Sequence, residues 1–119
     1  MKREVLNDIA AKTRTLIGAP TCSAETKAAA ERWLAAAGTG AEAEETKAYI
    51  AELEEDIMPI DGLIAFAGSD MGAKVFGAEG AKKLLVHAES IKAAGAKYCD
   101  CPACAAAEAI LARKDEMLA

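Results

Sequence analysis

The chain of 119 residues is poor in aromatic side chains and contains a single histidine, His87. Catalytic and metal-binding motifs that need two histidines, such as H-E-x-x-H, are therefore excluded. Aromatic residues make up only 4% of the sequence, so large rings are too few to fill the core of a thick sheet sandwich. The two shortages favour a helical fold and metal ligands other than histidine.

The sequence also lacks an excess of positive charge and any long apolar run. Its net charge of −5 would repel a phosphate backbone, and no cluster of lysine or arginine offsets that charge locally. No apolar stretch approaches the ~20 residues that cross a membrane, and the N-terminal residues contain no apolar segment of a secretion signal. We therefore expect a soluble, cytoplasmic protein with neither a nucleic-acid nor a membrane partner.

Alanine supplies most of the 53% hydrophobic content, and it is the strongest helix former but a poor filler of cores. No segment alternates apolar and polar residues with β-branched or aromatic side chains, so strands are not expected. The length suits one domain with a modest core. The sequence predicts an all-α, single-domain bundle over residues 1–119, with five to six helices joined by short loops.

Helical spacing of apolar residues, together with capping and stop signals, predicts the individual helices. The glycine-rich stretch 68–80 is expected to hold short helices or turns. The predicted helices run over about residues 2–17, from Thr21 or Ser23 to Gly38, from Thr39 to Met58, from Asp61 to Ala67, from Glu79 to Ala94, and from Pro102 to Leu118.

Three of the four cysteines, Cys99, Cys101 and Cys104, lie within six residues, and Cys22 lies far upstream. Pro102 suits the first helical position, which would put Cys101 near the N-cap and Cys104 in the first turn. Cys22 is also predicted at a helix N-terminus, and the positive ends of two helix dipoles would stabilise thiolates. The pattern predicts a four-cysteine metal site formed by Cys22, Cys99, Cys101 and Cys104.

Four thiolates predict a structural zinc ion, with an iron–sulfur cluster as the alternative. His87 could replace Cys22 as a ligand, although its place beside an apolar helix stripe is more typical of a border residue. The Cys101-Pro102-Ala103-Cys104 unit supports a second hypothesis, a thiol redox protein or sensor in which Cys101 attacks and Cys104 resolves. A third hypothesis is metal storage or delivery, for which four thiols are few.

Residues 52–64 and 98–104 resemble a group of short helical proteins of anaerobic Firmicutes, some of which carry a heat-shock or chaperone label. The resemblance implies a small cytosolic protein with a cysteine motif and a stress- or chaperone-related binding role. The chain is too short to contain the ATP-binding domain of the large heat-shock chaperones. We therefore expect a non-enzymatic protein that binds a protein partner, and its alanine-rich helix faces also allow a homodimer.

Overall fold

The computed structural model describes all residues 1–119 and consists of seven α-helices. The only β pairing is an isolated antiparallel bridge between Pro59 and Tyr98. The predicted all-α fold class is therefore confirmed, with one or two helices more than expected. In chain order the helices are α1 (Arg3–Gly18), α2 (Ala24–Ala36), α3 (Glu42–Asp56), α4 (Ile60–Ala67), α5 (Asp70–Ala93), α6 (Pro102–Leu111) and α7 (Lys114–Leu118).

The contacts divide the chain into two compact units. Unit 1 comprises Met1–Ile57 and Asp100–Ala119, and unit 2 comprises Met58–Cys99. Unit 1 thus contains α1, α2, α3, α6 and α7, and unit 2 contains α4 and α5. The expectation of one domain over residues 1–119 stays a prediction.

The core of unit 1 is built around Trp33, which is fully buried. Its indole Nε1–H donates a 2.9 Å hydrogen bond to Oγ1 of buried Thr46, and its ring lies 5.6 Å from the ring of Tyr49. The Tyr49 hydroxyl in turn lies 2.9 Å from Oγ1 of Thr13. Because each of these buried polar atoms has a partner, α1, α2 and α3 can meet around polar side chains without leaving an unsatisfied group.

Unit 2 is a smaller assembly in which α4 packs against α5. Its buried cluster consists of Ile60, Leu63 and Ala88. The two helices lie very close together at Gly72, where an added Cβ would lie 2.1 Å from the carbonyl oxygen of Phe66. Only glycine fits such a contact, since a real Cβ cannot approach an oxygen so closely.

The glycine-rich stretch 68–80, predicted to hold short helices or turns, does contain a short helical segment. This segment is the first part of α5, which begins after the N-cap Ser69 and is broken by a kink at Gly77. Gly72 is used for close packing, and the backbone departs from helical geometry only at Gly77, with φ 76° and ψ 159°. Glycine therefore marks a close contact at Gly72 and, at Gly77, the break between the two helical segments of α5.

Several predicted helix ends also shift. The helix predicted to be capped by Asp61 begins at Ile60, with Pro59 as N-cap. The helix predicted to begin at Thr39 begins at Glu42, whose carboxylate accepts a hydrogen bond from the backbone N–H of Gly38. The last predicted helix is interrupted at Arg113, whose backbone (φ −106°, ψ 18°) separates α6 from α7. None of the seven helices combines the length and apolar character needed to cross a membrane.

Candidate metal centre

The N-terminus of α6 carries two of the predicted ligands. Pro102 occupies the first turn and Cys101 is the N-cap, with extended backbone (φ −62°, ψ 158°). The sulfur of Cys101 accepts a 3.4 Å hydrogen bond from the backbone N–H of Cys104. Sulfur thereby takes the capping position usually held by a serine or aspartate oxygen. The predicted places of Cys101 at the N-cap and Cys104 in the first turn are confirmed.

The sulfur atoms of Cys99, Cys101 and Cys104 all lie within 4.8 Å of one another. Each of the three residues is partly buried. In a tetrahedral zinc site with bonds of ~2.3 Å, two sulfurs are about 3.8 Å apart. The three sulfurs therefore need to close by about 1 Å at most to become three corners of such a site.

Cys99 is positioned by its backbone rather than by a helix. Its N–H donates a 2.8 Å hydrogen bond to the carbonyl oxygen of Met58, next to the isolated bridge between Pro59 and Tyr98. The side chain packs against the apolar cluster of Ile60, Leu63 and Ala88. This packing limits the exposure of Cys99 to solvent.

Cys22 is not a member of this close sulfur group. It lies one residue before the N-cap of α2, which is Ser23; the Ser23 hydroxyl accepts a 3.1 Å hydrogen bond from the Thr26 N–H. The Cys22 thiol donates a 3.6 Å hydrogen bond to the Ser23 carbonyl oxygen. Burial raises the pKa of Cys22 above its ordinary value, and the negative charge of Asp56 adds to that shift while Lys27 opposes it. The thiolate expected from a helix end is thus disfavoured at Cys22 in the absence of a metal ion.

The segment that carries Cys22 is nevertheless bonded to the first turn of α6. The backbone N–H of Ala103 donates a 3.0 Å hydrogen bond to Oγ1 of Thr21. Thr21 precedes Cys22 and Ala103 precedes Cys104, so a side-chain bond joins the two cysteine-bearing segments of unit 1. Sequence reasoning missed Thr21 as anything but a candidate cap, since no spacing rule connects residues 82 positions apart.

A cavity of about 70 Å³ lies beside Cys104 in unit 1. Its polar wall is a hydrogen-bonded chain in which Ser23 Oγ donates to Thr26 Oγ1 (2.9 Å) and Thr26 Oγ1 donates to Asp56 Oδ2 (2.6 Å). Most of the lining is apolar, and a cavity of this size has room for ordered water beside the polar wall. The remaining wall is formed by Leu16, Thr21, Leu53, Ile57, Ala103 and Ala107.

His87 lies exposed on α5 and is not a member of the close sulfur group. The group therefore consists of soft sulfur atoms alone. Thiolates of this kind select zinc, copper(I) and iron–sulfur clusters over the hard cations magnesium and calcium. A site able to hold a metal ion is present at Cys99, Cys101 and Cys104.

No protein-family model, curated protein or solved structure matches this chain. The chemistry of the site therefore follows from its own residues.

Proposed function

We propose that the protein binds one zinc ion through Cys99, Cys101, Cys104 and Cys22, as a structural site that stabilises the fold. The observation that carries the proposal is the mutual approach of three sulfurs to within 4.8 Å at the start of α6. Four protein ligands would fill the coordination sphere and leave no open position for a substrate, which supports a non-enzymatic role. Zinc is favoured over an iron–sulfur cluster because a single ion fits three sulfurs grouped around one point.

The choice of Cys22 as fourth ligand rests on the Thr21–Ala103 hydrogen bond. This bond keeps the residue before Cys22 in contact with the residue before Cys104. Rotation of the Cys22 side chain would break only the long 3.6 Å bond from its sulfur to the Ser23 carbonyl oxygen. Because the pKa of Cys22 is raised, binding must release its proton, and zinc affinity should increase with pH.

The test combines metal analysis of protein purified without chelator with cobalt(II) substitution and visible spectroscopy. We expect one zinc per chain and a cobalt spectrum typical of four thiolates. Replacement of Cys22 by serine should leave a three-sulfur spectrum and weaker binding, while Cys101→Ser should lose most of the affinity. Absence of metal together with four titratable thiols in the native protein would overturn the zinc site. A four-sulfur spectrum in the Cys22→Ser variant would overturn only the fourth ligand.

A second candidate is a thiol redox protein, and the hydrogen bond from the Cys104 N–H to the Cys101 sulfur favours it. This bond stabilises negative charge on Cys101, which could attack a disulfide of a partner protein. Cys104 would then attack the mixed disulfide at the Cys101 sulfur, release the partner as a dithiol and leave a Cys101–Cys104 disulfide. Fast alkylation of Cys101, unchanged by a chelator, would support redox chemistry over zinc binding.

For the biological role we propose binding to a protein partner in the cytoplasm, in a stress-related setting, because of the resemblance of residues 52–64 and 98–104 described above. A metal delivery role differs from a structural one in the rate at which zinc leaves the site. A structural site should retain zinc against a competing chelator for hours, and delivery requires release within the time of a binding encounter. Time-resolved transfer of zinc to a chromophoric chelator separates the two.

A further inference from the structure

The second half of α5, residues 78–93, presents an unpartnered outer face. This segment is regular helix beyond the kink at Gly77. Its inner face buries Ala81 and Ala88 against unit 2's core. The side chain of Val86 lies on the opposite face and is 66% exposed, more than any other large hydrophobic side chain of the chain. Burial of such a side chain against a partner would be favourable.

Charged residues flank Val86 in a fixed order. Lys82 lies one turn before Val86 and Glu89 one turn after it, and both are exposed. At about 100° per residue, both lie on the same side of Val86, about 40° and 60° around the helix. On the other side of Val86, Lys83 lies one turn before it and Ser90 one turn after it, about 60° and 40° around the helix, and both are exposed. Within one turn of Val86, the outer face is thus positive on the N-terminal side and, on one flank, negative on the C-terminal side. Glu79, two turns before Val86 and about 20° from it, is also exposed and adds a negative charge farther toward the N-terminus.

We propose that this face binds a second copy of the chain, with the two α5 helices antiparallel about a two-fold axis beside Val86. Such an axis pairs a residue that lies before Val86 in one copy with a residue on the same flank that lies an equal distance after Val86 in the other copy. It therefore places Val86 against Val86 of the second copy and Lys82 against Glu89 of the second copy. The symmetry generates the Lys82–Glu89 contact twice, and Lys83 faces only the uncharged Ser90.

The order of charges favours a second copy over other partners. A helix face that is positive on one side of its apolar centre and negative on the other is complementary to itself when reversed. An acidic or basic partner would call for one sign of charge along the whole face. One helix face buries less than the ~800 Å² per partner of a standard interface, so we expect a reversible dimer with a dissociation constant roughly in the micromolar to millimolar range.

Sedimentation equilibrium on the reduced 119-residue protein, purified without chelator, tests the proposal. The variants Lys82→Glu and Glu89→Lys each place like charges opposite one another twice in their homodimers. Each should raise the dimer dissociation constant by about tenfold or more. An equimolar mixture of the two variants should recover association, because both contacts in the mixed dimer are again between opposite charges. Val86→Ala should weaken association without changing the helical circular dichroism.

The control is Lys74→Glu, which makes the same charge change at an exposed position before the Gly77 kink. It should leave the dissociation constant unchanged. A wild-type protein that stays monomeric to about 1 mM would overturn the proposal. Equal effects of Lys74→Glu and Lys82→Glu would do the same, and so would a mixture of the Lys82→Glu and Glu89→Lys variants that remains monomeric.

Discussion

Thr21 accepts, through its Oγ1, a 3.0 Å hydrogen bond from the backbone N–H of Ala103, which lies 82 residues further along the chain. The first N–H groups of a helix have no intrahelical partner, so a distant side chain here satisfies one of those of α6. Cys101 satisfies another of these groups with its sulfur. The first turn of α6 is thus capped by one local residue and one remote residue, each in or beside the cysteine-bearing segments.

We expect Thr21→Val to destabilise the protein by about 1 kcal/mol, because it removes the acceptor for the Ala103 N–H while keeping the side-chain shape. If Cys22 is a zinc ligand, the same change should also weaken zinc binding. Chemical denaturation and zinc competition measure the two effects. Thr21→Ser retains the hydroxyl and serves as the control. Equal stability of Thr21→Val and the wild type would show that the bond contributes nothing in solution.

Gly72→Ala should be strongly destabilising, by roughly 2 kcal/mol or more, since its Cβ would lie 2.1 Å from the Phe66 carbonyl oxygen and α4 would have to move away from α5. The control is Gly80→Ala in the same helix, where the nearest atom would be the Phe76 Cβ at 3.4 Å. That change should be neutral or stabilising by up to about 1 kcal/mol, because alanine is the better helix former. The melting temperature should therefore fall clearly in Gly72→Ala and stay unchanged or rise in Gly80→Ala, as measured by thermal unfolding.

Thr46→Val should cost about 1–3 kcal/mol, since it leaves the indole N–H of buried Trp33 without its acceptor. Because Trp33 is the only tryptophan, its fluorescence follows unfolding directly and should also report the changed environment in the native state. Thr15→Val is the matched control, as the Thr15 hydroxyl bonds only to the Ala11 carbonyl oxygen on the surface. A loss of stability as large in Thr15→Val would contradict a specific role for the buried bond.

Acid should weaken unit 1 partly through Asp8. Hydrogen bonds from Lys12 and then from Arg113 hold the pKa of this carboxyl below its ordinary value of 3.8. A carboxyl whose folded pKa is depressed stabilises the fold above its unfolded pKa, and that stabilisation is lost as pH falls from about 4 through the folded pKa. Asp8→Asn should therefore reduce the slope of stability against pH below about 4, as measured by urea midpoints at stepped pH values. An unchanged slope would assign the acid sensitivity to other carboxyls.

Much of the fold could be predicted from local sequence. The apolar stripes and stop signals correctly predicted α1, α2 and α3, because helix formation depends on residues three and four positions apart. The stretch from Gly68 to Gly80 could not be predicted in this way. Whether a glycine marks a turn or a close contact depends on what lies against it. The Phe66 carbonyl oxygen is held beside Gly72 by the turn between α4 and α5, in which the N–H and the hydroxyl of Ser69 both donate to it.

The candidate site, like the fold, could be predicted from the sequence only in part. The sequence by itself determined that Cys101 caps α6 and that Cys104 lies in its first turn, because Pro102 and a spacing of three residues act within one helical turn. Only the tertiary structure decided that Thr21 is bonded to Ala103 and that Cys22 precedes the cap Ser23 outside the close sulfur group. The contact between residues 21 and 103 is produced by helix packing, and helix packing is a property of the whole folded unit.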